Sequence, residues 1–310
     1  MTSQSSETTP DISSVVHFDT RYSFRSTIAG LKSPVLLGPS AWWTTNTPQG
    51  PVTLELKRLD TETISTNAWG KGSEWATNKV PDLLGVDDDS NSFAPEDELA
   101  KLWKNNKFRL GRTDLVWDSA IGAILSQKVQ VTKAMQSLRG LRNMFGAVAP
   151  GPLRSKLLPT PPQVCEMSYT DFHRLGVERK RAETIIRLAK EMPRLKVQPI
   201  TRPVNYLDQD RLNMKRIASI RGIGSWTLGL IDAVAYGNSD AVPVGDYHIP
   251  NTVAWNLHGI PRATDAEMLE MLEPYRPHRW RVIRLCKANS SAPKYGPRLS
   301  LRGFGISEGR

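Results

Sequence analysis

Two short segments hold the residues whose types and spacing could do chemistry. Arg221-Gly222-Ile223-Gly224 sits between two helical patterns, and Pro243-Val244-Gly245-Asp246-Tyr247 follows, with Asp246 twenty residues after Trp226. Glycine reaches φ > 0 without a Cβ penalty and leaves room for another group to come close. A bend with glycines at 222 and 224 can therefore bring backbone N–H groups against a phosphate. Ser225 can cap the helix that follows, whose positive N-terminal end points the same way. Ile223 is expected to pack under the bend and pin the two helices. Such a device grips a sugar–phosphate backbone and reads no sequence. Each segment alone has an ordinary reading: a tight helix–helix turn, and an N-capping aspartate. Together they say more, because a protein that only bound phosphate would gain nothing from a carboxylate facing the DNA.

The elements that must position these segments are helical. After Arg112 the apolar spacing is that of helices. Thr113 or Asp114 is expected to cap the helix through 115–127, and a further helix over 131–146 ends at Gly146. A proline-rich loop at 150–162 follows, then two short helices around Gly176-Val177. Further helices are expected over 211–220, 225–237, 247–259 and 263–275, and a last, basic one over 278–288. Before residue 110 the pattern differs. Strands are expected over 15–24, 51–59 and 61–69, with breakers at 33–40 and 47–50. A helix over 73–84 is interrupted by Pro81, and an acidic connector spans 87–98, with a helix starting near Pro95. The fold class is thus mainly α with a small α+β N-terminal domain. The expected divisions are a disordered tail at 1–14, an α+β domain at 15–108, a helical domain at 109–290 and a basic extension at 291–310.

The 310 residues carry a net charge of +10, unevenly spread. Residues 1–108 hold 10 Lys+Arg against 14 Asp+Glu; residues 109–310 hold 31 against 17. From Pro274 to Ser307 there are eight basic residues (Arg276, Arg279, Arg281, Arg284, Lys287, Lys294, Arg298, Arg302) and no acid. A polyanion such as nucleic acid suits that imbalance. Cys165 and Cys286 stand far apart, which argues against a disulfide scaffold and a structural zinc site. No apolar run is long enough to cross a membrane, and the N-terminus lacks the pattern of an export signal. A monomer in the cytoplasm, associated with the nucleoid, is expected.

Taken together, these segments resemble the helix-hairpin-helix (HhH-GPD) DNA glycosylases, and within them the 3-methyladenine DNA glycosylase II branch. GIGSWT at 222–227 is similar to the family's hairpin and VGDYHIP at 244–250 to the loop with its catalytic aspartate. ILSQKV at 124–129, LGVERKRAETI at 175–185 and EPYRPHRWRVIRL at 273–285 extend the likeness over about 110–287. The resemblance implies an all-helical glycosylase fold of two lobes with a cleft between them, preceded by a small antiparallel-sheet domain. It implies double-stranded DNA with a damaged base as partner, and base excision repair as function. A damaged base, an alkylated purine, would be flipped from the stack, and its N-glycosidic bond hydrolysed through an oxocarbenium-like transition state.

By this resemblance Asp246 is the catalytic carboxylate. Trp226, Leu230, Tyr247 and His248 line the base pocket, with Trp226 stacking on the flipped base. Gly222, Ile223, Gly224, Ser225 and Thr227 hold the DNA backbone, and Gln127-Lys128 plugs the gap left in the duplex. Leu230 stands where an aromatic is expected, and Lys287 where the closing helix carries a tryptophan. Bifunctional relatives place a nucleophilic lysine where this chain has Trp226, so no lyase step is expected. Two distant cysteines cannot build the iron–sulfur cluster of some relatives, and no cofactor is expected. A monovalent cation at the 220–225 hairpin is implied. Two alternatives stay open: a glycosylase for oxidised or bulky alkylated purines, and a non-catalytic DNA-binding protein.

Overall fold

The computed structural model describes residues 9–32, 34–196 and 206–293. The chain opens with β1 (Ile12–His17), α1 (Phe24–Ala29), β2 (Val35–Leu37), β3 (Ser40–Thr47), β4 (Gly50–Arg58) and β5 (Thr63–Trp69). Three helices complete the N-terminal part: α2 (Ser73–Asn78), α3 (Val80–Leu83) and α4 (Asp97–Asn105). Then come α5 (Val116–Leu125), α6 (Val131–Phe145), α7 (Pro161–Cys165), α8 (Tyr169–His173), α9 (Arg179–Glu191) and α10 (Tyr206–Ala218). The last four are α11 (Ser225–Ala235), α12 (Ile249–His258), α13 (Asp265–Leu272) and α14 (Arg279–Asn289).

The five strands form one antiparallel sheet in the order β1-β5-β4-β3-β2. β3 alternates buried and half-buried positions, as a sheet with two unlike faces requires. Trp43 is buried near Trp75 of α2, while Trp42 stacks on Trp69 at 5.8 Å. β2 and β3 occupy the stretch expected to break the pattern. Pro34 and Gly38 flank β2 rather than replacing it, and the β-formers Trp42 to Thr45 carry β3. β1 starts at Ile12, inside the expected tail, because it pairs with β5 from Ile12↔Ala68 to His17↔Thr63. The expected strand at 15–24 therefore ends early. Ser23 caps α1 instead, accepting the amide of Ser26.

Neither expected cap of α5 holds. No side chain caps α5, and Thr113 accepts the amide of Leu115. Asp114 is 5% exposed and binds Lys79 and Arg112 instead. A buried charge must find ionic partners before it can serve a helix end. Gly146 does end α6, at φ −85°, because a Cβ there would overlap the Leu157 carbonyl.

Two apolar clusters make the core. One joins the N-terminal sheet and helices to α12–α14 through Leu54, Trp75, Phe108, Val253, Met268, Trp280 and Ile283. The other lies among α5–α10 through Ile121, Phe172, Ile185, Ile217 and Ile223. α11 serves both, with Leu230 and Ala233 in the first and Ile231 and Ala235 in the second. The N-terminal module is thus packed on the last helices of the chain, and α11 stands at the seam between the two clusters.

Candidate active site

Gly222 adopts φ +103°, and a Cβ there would overlap Thr184 Oγ1 of α9. Only glycine suits that position. Gly224 is different: its φ of −105° suits any residue, but nothing lies within 4 Å of where its Cβ would be. Its absent side chain leaves the front of the bend open. Among the described residues the amides of Gly224 and Ser225 have no acceptor, as expected of a helix start awaiting an anion. Ile223 is 7% exposed and packs in the core beneath, as expected. Ser225 does not cap α11. It is the first residue of that helix, and its hydroxyl donates to the Val244 carbonyl at 3.0 Å. That bond ties the bend to the loop carrying Asp246.

The loop is held in two further ways. Gly229 of α11 lets it lie close, since a Cβ there would stand 2.7 Å from the Val242 carbonyl oxygen. The Gly245 amide donates to Asp265 Oδ1 at 3.0 Å. Asp246 then accepts three N–H donors. Oδ1 takes the amides of His248 (2.8 Å) and Ile249 (3.0 Å), and Oδ2 takes Trp226 Nε1 at 2.7 Å. So Asp246 does anchor the start of α12, the ordinary reading of such a residue. It is also half-exposed, and its orientation is fixed from two sides. A carboxylate so held can face a developing positive charge, or take a proton from water, without reorganising.

The other pocket residues are placed as follows. Trp226 is half-buried against the first core cluster, and Leu230, one turn on, is buried in it. Tyr247 is 83% exposed, its ring edge-on to that of His248, which is also exposed. Neither side chain is packed into a pocket wall. A surface groove between Phe24, Leu36, Pro39 and Leu59 shares no residue with this site.

Gln127 and Lys128 lie in the turn between α5 and α6, and the structure joins that turn to the bend. Gln127 Nε2 donates to the Gly222 carbonyl and to Thr227 Oγ1, both at 2.9 Å. Buried Arg181, the arginine of the 175–185 segment, donates to the Leu125 carbonyl at the end of α5. Lys128 is exposed, at φ +54°. That conformation is costly for a residue with a Cβ and is held by its neighbours. Exposed Lys180, Lys215, Arg216 and Arg221 lie on the helices and bend around it.

The basic C-terminal helix is not a free cationic face. Arg276 and Arg279 bind Asp240, which had been expected to be solvated or capping. Arg281 is fully buried, bonded to Asp88 and the Phe108 carbonyl and set against Phe93 and Trp103. Arg284 bonds to the Ser26 carbonyl and lies 4.1 Å over Phe108. These arginines clasp the N-terminal module because its acidic and carbonyl groups face α14. Lys287 is exposed, while Lys294, Arg298 and Arg302 lie outside the described residues. The implied cation at the 220–225 hairpin finds few open oxygens. The carbonyls of Ile220, Arg221, Gly222 and Gly224 already accept protein donors. The bend alone is no cage for an ion, and no step below runs through one.

One residue that sequence reasoning missed belongs here. Lys32, in the turn after α1 at φ +60°, holds its ammonium 5.9 Å over the ring of Trp280 of α14. It interacts electrostatically with Asp246, Lys287 and Arg284. Its sequence distance from Asp246 left no signal to find it by.

Comparison with known proteins agrees with this geometry. Residues 121–277 match the family described as HhH-GPD superfamily base excision DNA repair protein. The chain is 25% identical over 135 residues to the alkylbase DNA glycosidase-like protein mag2 of Schizosaccharomyces pombe. That match covers 41% of this chain and 62% of the relative, less than two thirds of its length. Among solved structures, a 3-methyladenine DNA glycosylase from Archaeoglobus fulgidus superposes with a TM-score of 0.72 at 17% identity. The superposition covers 88% of this chain and 97% of that one. An 8-oxoguanine glycosylase/lyase from Clostridium acetobutylicum gives 0.68 at 12% identity, covering 90% and 96%. At such identities these two likenesses speak to the fold.

Proposed function

The chain belongs to the HhH-GPD superfamily of base excision DNA repair proteins, and from that premise we propose that it is a monofunctional DNA glycosylase acting on alkylated purines. The observation that carries the reading is the fixing of Asp246. One oxygen is held at the start of α12, the other by Trp226, and Ser225 binds its loop to the glycine bend. A phosphate taken by the amides of Gly224 and Ser225 places the neighbouring deoxyribose beside that carboxylate. Lys128, on the turn that Gln127 bonds to the bend, enters the gap as the damaged nucleotide leaves the stack.

In the reaction the C1′–N bond breaks and its electron pair leaves with the base. Asp246 stabilises the charge growing on the sugar and accepts the proton of the water that adds to C1′. Trp226 offers a π-face to the base. The hairpin has tryptophan where a lysine nucleophile would stand, so the reaction ends at an abasic site. The names of the relatives favour an alkylated base: mag2 is an alkylbase DNA glycosidase-like protein. The chain is proposed to act as a monomer on double-stranded DNA and to need no membrane; among the described residues no helix is long and apolar enough to cross one.

Base release from duplexes with single alkylated purines tests this. The native protein should release the base, and Asp246→Asn should lower the single-turnover rate by about 10²–10⁴, the range for a positioned general base. Equal release by both proteins would remove the assignment.

A further inference from the structure

Resting on the reading of Asp246 as the glycosylase carboxylate, we infer that Lys32 faces the flipped base, gives a proton to an uncharged leaving purine and, with Lys287, turns the pocket against cationic ones. The placement comes first. Lys32 comes from the N-terminal module, on a turn whose left-handed backbone aims it across the first core cluster. Its Nζ lies over Trp280 of α14, and Trp226, which holds Asp246, packs against that same cluster. Lys287 follows Trp280 by seven residues, two helical turns, and so lies on the same face of α14. The groups that act on Lys32 come from every element around it: Lys287 and Arg284 from α14, and Asp246 from the loop before α12. The cleft that should receive the base therefore holds one carboxylate and two lysines.

The chemistry follows from the charges. An N-alkylated purine carrying a fixed positive charge is already a good leaving group and needs no acid. It would meet repulsion from two ammonium groups. An uncharged adduct, such as a cyclic etheno purine, leaves as an anion unless it is protonated. Lys32 can supply that proton. As C1′–N breaks, the electron pair goes to the base, and the Lys32 ammonium transfers a proton to a base nitrogen. Water adds to C1′ and gives its proton to Asp246. Solvent then returns one proton to Lys32 and removes the one on Asp246. Crowding by the cleft walls lowers the Lys32 ammonium to about 8; Lys287 pushes the same way, Asp246 opposes, and Arg284 adds to the lowering. A donor in that range is well matched to neutral pH.

The test uses the full chain and duplexes with a single 1,N6-ethenoadenine or a single 7-methylguanine. The native protein should excise the uncharged base faster. Lys32→Met should lower ethenoadenine excision at least tenfold and leave 7-methylguanine excision unchanged or raised. With native protein the ethenoadenine rate should fall above about pH 8, and this limb should vanish in Lys32→Met. Lys32→Arg should keep the discrimination against 7-methylguanine without restoring the fast ethenoadenine rate. A thermal melt checks that each variant is folded. Equal loss on both substrates, a native preference for 7-methylguanine, or an unchanged pH limb in the variant overturns the inference. So does a borohydride-trapped adduct that Lys32→Met abolishes, since Lys32 would then be a nucleophile. Release of neither base by native protein overturns this inference and the reading of Asp246 together. Release of both with no effect of Lys32→Met overturns this one alone.

Discussion

Trp226 holds Asp246 by one edge of its indole while its face stays half-open to the cleft, so a single side chain both orients the carboxylate and offers a surface to a base. The two roles can be separated. Trp226→Phe keeps a flat ring but removes the Nε1–H donor. A hydrogen bond to a charged acceptor contributes about 1.5–3 kcal/mol, and each 1.36 kcal/mol is a factor of ten in rate. The variant should therefore lose about 10- to 100-fold in single-turnover excision with little change in KM. A loss confined to KM would mean that the ring, and not the hydrogen bond, is what matters. Lys32 carries its own signature in stability. Its ammonium is lowered from 10.5 to about 8 by folding, so between those values the unfolded chain binds the extra proton. Stability gained from this group thus rises as pH climbs through that window. Below it, the charged lysine works against folding, and Lys32→Met should melt higher than the native protein at pH 7.

At the scale of elements, the turn between α5 and α6 and the glycine bend behave as one part, because Gln127 bonds to both Gly222 and Thr227. Gln127→Ala should cut excision from fully paired duplex about tenfold, given roughly 0.5–1.5 kcal/mol for each of two hydrogen bonds. It should cost much less when the lesion sits opposite a gap, where the nucleotide needs no help to leave the stack. An equal loss on both substrates would place Gln127 in ground-state binding alone. This coupling marks the limit of what was legible from the sequence. The bend, Ile223 and Asp246 could be read because their neighbours in space are near in the chain. Periodicity likewise revealed α9, α11 and α12. The partners of Gln127, Arg181 and Lys32 lie tens to hundreds of residues away, and no local pattern carries such contacts. β2 and β3 were hidden for a related reason: Pro34 and Gly38 are turn formers, but pairing with β4 outweighs them. The basic run at the C-terminus misled because charge in a sequence does not say whether a guanidinium meets solvent or a buried carboxylate, as Arg281 meets Asp88.

Over the whole molecule the cleft exists only while the N-terminal module stays docked, since Lys32 arrives from that module and Trp280 from the last helix. A buried ion cluster holds the parts in register. Lys79, with no side-chain exposure, bonds to Asp114 at 2.6 Å and Asp82 at 3.2 Å, and Arg112 joins Asp114 to Asp210 of α10. The cluster therefore spans α3, the strand-like link at 112–114 and the helical lobe beyond. Removing one member of such a cluster leaves a charge buried without its counterion, which costs about 3–5 kcal/mol. Lys79→Met should lower the urea midpoint by that much stability. Arg276→Gln, at an ion pair whose arginine is 51% exposed, should cost under about 1 kcal/mol. The consequence for activity differs from that at the site residues. Well below its melting temperature Lys79→Met should excise at nearly the native rate, and its activity should then fall along its own unfolding curve. If instead the rate drops at temperatures where the variant is fully folded, the cluster sets the geometry of the cleft directly, and its role is not confined to holding the two cores together.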